Sequence, residues 1–325
     1  MDRRTLLAAL ASSAAAAAAP WAHAQTGYPE QIIKWLVPYP AGGGTDVIAR
    51  TLAEAMRQTL GQQIVIDNRP GAATNIGADL VAKSKPDGYT IMSADNAVLA
   101  FNEHLFSKLP FNPQKDFSYI GAIGKFPLAL VVHPDFPAKD FKEFLAYVKA
   151  NPGKVNYASP GNGSPHHLAM ELFKNRTGTF ITHIPYRGAA PAMADVMGGQ
   201  VPCMFLDLAS GLQIMQSRKV RVLAIGSGVR SKLLPDVPTL AEAGVRDSEV
   251  FAFQGILGPA GLPQNVVARL NTELNRAFGT AAVQKRFADI GMEAMPGTPE
   301  QFFALARAEA KRWGPVIKAA GVKLD

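Results

Sequence analysis

Cysteine is almost missing from this chain. Cys203 is the only one among 325 residues, so no internal disulfide can form. It lies in the apolar run "VPCMF", where a buried, inert thiol is expected rather than a nucleophile. Histidine is scarce too, at six copies. His166 and His167 are adjacent, so on a helix they diverge by about 100° and cannot make the one-face pair of zinc-binding helices. No metal site and no cofactor are expected. The 33 Lys and Arg against 26 acidic residues, a net charge of +7, are scattered without clusters or interleaved aromatics, which excludes a nucleic-acid surface. Beyond the first 25 residues no apolar run is long enough to cross a bilayer.

Nucleotide and nucleophile signatures are also lacking. The glycine loop Ala41–Asp46 has neither the lysine of a P-loop nor G-x-G-x-x-G spacing. Ser164 does not sit in a G-x-S-x-G elbow.

The N-terminus is informative. Arg3 and Arg4 precede the alanine-rich run Leu6–Ala19, and Ala22-His23-Ala24 reads as a small-x-small cleavage site. A signal peptide over residues 1–24 is expected, with the mature chain starting at Gln25. "DRRTLL" loosely resembles a twin-arginine signal, so the export route stays open. An exported chain of this size without disulfides fits a bacterial periplasm, where a large core supplies the stability. The composition, 48% hydrophobic, provides for such a core.

Short β-rich segments alternate with helical patterns along most of the chain. Ile32–Val37, Ile64–Asp67, Tyr89–Ser93, Ala129–His133, Val155–Ala158, Ile181–Ile184, Val201–Phe205 and Val220–Ile225 read as strands. Val47, Ile48, Leu52, Met56 and Leu60 share one helical face, as do Leu168, Leu172 and Phe173. This alternation predicts α/β architecture with mainly parallel sheets. Thr298-Pro299-Glu300-Gln301 is a capping box with proline at the first helical position, opening a helix striped by Phe302, Ala306, Trp313 and Ile317. "TLAEAG", Thr239 to Gly244, is a shorter version.

Two stretches point to ligand chemistry. In "WLVPYPAGGGTDVIARTLAEAM" a strand breaks at prolines, passes three glycines and becomes a helix. Such turns lie at the carboxyl ends of strands, where open α/β sheets bind ligands. Glycines allow close backbone approach, and the helix start offers unpaired N–H groups and a positive dipole end. "VNYASPGNGSPHHLAMELF" repeats the plan with Gly161, Gly163, Ser164 as N-cap and Pro165. Two such turns, about 120 residues apart, suggest two α/β lobes aiming helix starts at a carboxylate in a shared cleft. Asp46 is expected to cap amides of its own loop, and His167 to pair with Glu171. Replacing Gly42 or Gly163 with valine is expected to block the ligand while sparing the fold.

Taken together, "VPYPAGGGTDVIAR", "VIDNRPGAATNIGADLVAKSKPDGYT", "KLPFNPQKDFSYIG", "GSPHHLAMELF", "IPYRGAAPAMADVMGGQV", "LAIGSGVRSKLLPDVPTLAEAG" and "FQGILGPAGLP" resemble the Bug family of periplasmic receptors serving tripartite tricarboxylate transporters. The resemblance runs in order from about Tyr28 to Leu324. It implies a two-lobed Venus flytrap binding protein without catalytic activity, a monomer that passes a small carboxylate to membrane subunits. Lobe 1 would comprise residues 26–125 plus 250–325, and lobe 2 residues 126–249. The implied first-lobe contacts are Tyr39, Ala41, Gly42 and Gly43, with Thr45 and Asp46 in support. Those of the second lobe are Ser159, Gly161, Gly163, Ser164 and His167; Asp207 and Gln254, near the cleft and crossover, are implied side-chain contributors. Two departures bear on the ligand. Ala73-Thr74-Asn75 stands where paired glycines are common, making Thr74 and Asn75 candidate contacts, and Glu103 replaces a common proline. A sensor of the same fold feeding a two-component regulator, and a two-domain α/β enzyme, are the alternative readings.

Overall fold

Strand β1 (Ile33–Val37) ends at the prolines of the glycine stretch, which then feeds helix α1 (Gly44–Leu60). The computed structural model describes residues 27–325, so the signal segment expected at residues 1–24 lies outside them. Along α1, Ile48, Leu52, Met56 and Leu60 are buried, as their spacing predicts, while Val47 at the edge of that face is only partly covered. Each such side chain contributes about 1.5–3 kcal/mol relative to exposure. Next come β2 (Ile64–Asn68), α2 (Asn75–Ala82) and β3 (Thr90–Asp95). Both flanking strands pair in parallel with β1, and Trp35 lies opposite Ile66 on one side and Ile91 on the other. The buried Trp35 indole donates to Ser93 Oγ at 2.9 Å, which satisfies its one polar atom.

A π-helical turn (Ala97–Phe101) and the short α3 (Asn102–Leu105) lead into β4 (Phe117–Val132), a strand of 16 residues. A second α/β run follows: α4 (Phe141–Ala150), β5 (Asn156–Ser159), α5 (Pro165–Thr177), β6 (Thr182–Pro185), α6 (Ala189–Met197), β7 (Cys203–Asp207), α7 (Leu208–Gln216) and β8 (Arg221–Ile225). Within it β5 pairs in parallel with β6 and β7. The chain closes with β9 (Phe251–Pro259), α8 (Gln264–Ala277), α9 (Ala281–Asp289), β10 (Glu293–Ala294) and α10 (Pro299–Ala320).

β4 joins the two parallel trios. Its first part pairs antiparallel with β9, from Phe117↔Pro259 to Pro127↔Phe251, and its last five residues pair with β7 and β8. Because β9 also pairs with β3, the order is β2-β1-β3-β9-β4-β7-β5-β6. The parallel groups follow the strand–helix alternation; the antiparallel pair that links them does not. "FSYIGAIGKF" and "FAFQGILGP" are buried almost throughout, so they carry no two-residue alternation to mark them as strands.

The capping box at Thr298 forms, and Phe302, Ala306, Trp313 and Ile317 are buried under α10. The pattern at Thr239 also makes its reciprocal bonds, Glu242 N to Thr239 Oγ1 at 3.0 Å and Thr239 N to the Glu242 carboxylate at 2.8 Å. The segment is nevertheless one turn, not a helix, because Gly244 follows at once with a positive φ. Glu103, the replaced proline, accepts from Arg307 at 2.9 Å, and Arg307 also donates to Leu99 O. The pair ties α10 to the π-helical turn. Cys203 is buried, and burial pushes its thiol well above the ordinary range, as expected of an inert side chain.

Candidate ligand-binding site

The carboxyl ends of β1 and β5 each turn into a helix, with Tyr39–Asp46 after the first and Ser159–His167 at the second, whereas Thr74 and Asn75 follow β2, Asp207 ends β7 and Gln254 lies within β9. After β1, Ala41, Gly42, Gly43 and Gly44 are exposed. Gly42 adopts φ +82°, which an L side chain rarely takes. A Cβ at Gly42 or Gly44 would meet nothing within 4 Å, and one at Gly43 only Pro40 O at 3.5 Å. α1 has no side-chain cap, so its first-turn amides retain donors for a ligand. Asp46 holds the loop from beneath. It is 2% exposed and accepts from Gly42 N, Arg50 Nε and Asn68 Nδ2, each at 2.9 Å. Burial pushes its pKa up, but the bonds from Arg50, Gly42 and Asn68 outweigh that and leave it below the ordinary 3.8. A charge so compensated shapes the loop without presenting a free carboxylate to an incoming anion.

The turn before α2 is strained. Ala72, Ala73 and Thr74 have φ of +47°, +51° and +75° in succession, and such conformations cost about 1–3 kcal/mol each. The buried Asn102 braces them, its Nδ2 donating to Ala73 O at 2.8 Å and to Asn75 Oδ1 at 2.7 Å. Thr74 and Asn75 are themselves buried. The Thr74 hydroxyl turns back onto Ala73 O, and α2 begins without a side-chain cap.

The turn after β5 is built differently, because its amides are already occupied. Gly161 N donates to Ser159 Oγ at 3.1 Å, Gly163 N to His167 Nδ1 at 3.0 Å, and Ser164 N to Gly161 O at 3.3 Å. Ser164 caps α5 as its sequence position predicts, its Oγ accepting from His167 N at 3.2 Å. Ser159 and His167 are buried, which places both as supports of the loop. His167 Nε2 lies 3.9 Å from Glu171, too far for a hydrogen bond. Glu171 instead accepts from Tyr157 Oη and Lys174 Nζ, both at 2.7 Å. A Cβ on Gly163 (φ +74°) would lie 2.8 Å from Leu105 Cδ1 and 3.0 Å from Leu324 Cδ1. Valine there would disturb packing, so the expectation that it spares the fold is corrected.

Asp207 and Gln254 are both buried. Asp207 caps α7 through Ser210 N at 2.7 Å and accepts from His166 Nε2 at 2.9 Å. Burial pushes its pKa up, but His166 and Ser210 bring it below the ordinary value. Gln254 Nε2 donates to Thr45 Oγ1 at 3.0 Å, while its Oε1 has no partner. Tyr39 donates its hydroxyl to Asp95.

Three residues that brace these turns escape a reading by motif. His183 stacks on both Tyr157 and His167 and bonds Ser159 Oγ at 2.6 Å; in "ITHIP" it is one strand residue among others. Asn102 gives no local signal, since its partners Ala73 and Asn75 lie 29 and 27 residues upstream. Asp95 could have been found. It is the last residue of β3, and strand carboxyl ends are where ligands bind. Burial raises its pKa above 3.8 against the lowering bonds from Tyr39 and Ala97. Among the described residues no three His, Cys, Asp or Glu side chains converge to hold a metal.

Residues 48–322 match the family model described as tripartite tricarboxylate transporter family receptor. The periplasmic binding protein BugD is similar at 35% identity and a TM-score of 0.82, over 91% of this chain and 99% of that one. An R. palustris protein solved with adipate is similar at 32% identity and a TM-score of 0.85, over 91% and 99% of the two chains. MatC from Rhodopseudomonas palustris, solved with bound malate, is similar at 32% identity and 0.81, over 89% and 100%.

Proposed function

The chain belongs to the tripartite tricarboxylate transporter receptor family, with the α/β periplasmic binding protein fold of its solved members, and from that premise we propose that it captures a small carboxylate for delivery to the transporter's membrane subunits. The family is one of transport receptors, not enzymes. In this reading the protein is an exported, periplasmic monomer, cleaved after Ala24. The carboxylate lies in a cleft between lobe 1 (26–125 plus 250–325) and lobe 2 (126–249), with β4 and β9 crossing between the lobes.

The observation that carries the reading is the open face of Gly42–Gly44 beneath the uncapped start of α1. Each charged hydrogen bond contributes about 1.5–3 kcal/mol, and micromolar affinity needs about 8 kcal/mol. Four or five such bonds reach that after the cost of ordering. The relatives solved with adipate and malate support a carboxylate ligand. Among the described residues no helix is long and apolar enough to cross a membrane, consistent with a receptor that docks on separate membrane subunits.

Calorimetry with mono-, di- and tricarboxylates on the purified mature protein tests this. Saturable binding of at least one is expected, and no heat from any of them would overturn the reading. N-terminal sequencing of the periplasmic protein is expected to begin at Gln25; an intact Met1–Arg4 start would refute export by cleavage.

A further inference from the structure

A helix as short as α3 cannot hold itself. It is one turn long, Asn102–Leu105, closed by Phe106 N donating to Asn102 O at 3.1 Å, and so short a helix is unstable without outside contacts. Each of its residues is fastened from elsewhere. Asn102 bonds Ala73 O and Asn75 Oδ1 in the strained turn before α2. Glu103 accepts from Arg307, and His104 Nε2 bonds Ala310 O at 2.9 Å, both on α10. Leu105 is buried, and its Cδ1 lies 2.8 Å from where a Cβ on Gly163 would stand. One end of α3 therefore meets the turn before α2, and the other end meets the turn after β5.

The second of these ends is held by the residues that follow α10. Gly321, at φ +65°, terminates that helix, and the next residues reach α3. Leu324 N donates to Leu105 O at 2.9 Å, and Lys323 Nζ to His104 O at 3.2 Å. These are last-turn carbonyls, which a helix cannot satisfy within itself. The Asp325 carboxylate accepts from Ser107 N at 2.6 Å and from the Ser107 hydroxyl. The Leu324 side chain then joins that of Leu105 on the open face of Gly163, its Cδ1 3.0 Å from the same Cβ position. Gly163 is itself fixed by its N–H bond to His167.

Resting on the receptor reading above, we infer that Leu324 and Asp325 are positioning residues of the binding site. They clip α3 onto Gly163, so that the turn after β5, in the proposed second lobe, is held in place against the turn before α2 in the first. Freeing either residue loosens the end of α3. Leu105 then no longer fixes Gly163, and Asn102 braces the strained turn less firmly. Ligand affinity thus depends on a segment outside all the turns offered to the ligand.

Calorimetry with malate, succinate, adipate and citrate selects the acid that the wild-type protein binds most tightly, and the variants are titrated with it. Leu324→Ala and Asp325→Ala are each expected to weaken binding at least about fivefold. Leu324→Met restores the apolar contact and is expected to bind within about twofold of wild type. Hydrogen exchange on the ligand-free proteins separates positioning from general loosening. In both alanine variants it is expected to quicken at residues 161–167 and 73–76 and to keep its wild-type rate in α1 and α8. Unchanged affinity in both alanine variants would overturn the inference and leave the receptor reading intact. Weaker binding with exchange quickened throughout the protein would overturn it too, since the segment would then only stabilise the fold. If the wild-type protein binds none of the acids, the receptor reading fails and takes this inference with it.

Discussion

The rings of His167 and His183 lie 3.9 Å apart, centroid to centroid, and within 8° of parallel. Two imidazolium ions could not share that space. Burial lowers the His167 pKa to about 4, with Lys174 adding to the effect. Burial lowers His183 to about 3, with His167 and Lys174 adding and Glu171 opposing. The Gly163 bond also needs an unprotonated Nδ1 on His167.

Acid should therefore loosen the second turn. The unfolded chain takes up these protons near pH 6.5, whereas the folded chain resists them until about pH 4. Between those values the unfolded state binds more protons, so stability falls as pH falls. It is fully present above about pH 6.5. His167 alone is worth on the order of 3 kcal/mol across the window. Melting temperature followed from pH 7.5 to 4.5 is expected to drop steadily, and the drop should shrink in His167→Gln. An equal drop in both proteins would refute the assignment.

The first turn offers clean probes that the second does not. Gly43→Ala and Gly44→Ala add a methyl group where nothing lies closer than 3.5 Å. Binding is expected to weaken at least tenfold, equivalent to about 1.4 kcal/mol, with an unchanged melting temperature. Gly163→Ala forces a positive φ and crowds Leu105, so it should lose about 1–2 kcal/mol of stability. Denaturant titration separates the two outcomes, and a destabilised Gly44→Ala would contradict the open-face description.

Asp46 should matter for shape more than for charge. Asp46→Ala removes the acceptor of three bonds, to Gly42, Arg50 and Asn68. A stability loss of about 1.5–3 kcal/mol is expected, together with weaker ligand binding. If removing this carboxylate instead strengthened anion binding without loss of stability, it would be facing the ligand after all.

Asn102 is predicted to be indispensable to the strained turn. Asn102→Ala leaves Asn75 Oδ1 without its donor and Ala73 O with only the Thr74 hydroxyl. Amide exchange at Ala73–Ile76 should accelerate more than at α1. Uniform acceleration across the protein would show a global effect only.

How much of this was legible depends on how local each interaction is. The capping boxes, the buried face of α1 and the Ser164 cap follow from residues three or four apart, where spacing alone decides geometry. Asp46 was readable as a cap because its partner Gly42 is four residues away. The partners of Gln254 are not local: Thr45 and Asp95 are distant in sequence and meet only through the β3–β9 pairing. The Gly161 and Gly163 amides bond partners only two and four residues away; what was hidden is the placement of Ser159 and His167 by His183 of β6. Alternation reveals half-buried strands, so it was silent where β4 and β9 are covered on both faces.

The pairing of β4 with β9 bears on how two lobes could move. Two separate tethers would leave each lobe free to swing, but these segments are hydrogen-bonded to each other from Phe117↔Pro259 to Pro127↔Phe251. They form a ribbon, which yields to twist and bending far more readily than to sliding. Its register already slips at Tyr119–Gly121 and Ala122–Gly124, irregularities that soften a ribbon locally. Opening and closing would then work against an elastic element that itself carries Gln254, opposite Gly124 at one of those irregularities. Affinity in such a receptor is tunable from the ribbon: stiffen it in the closed curvature and the ligand is held longer, stiffen it in the open one and the same contacts release sooner.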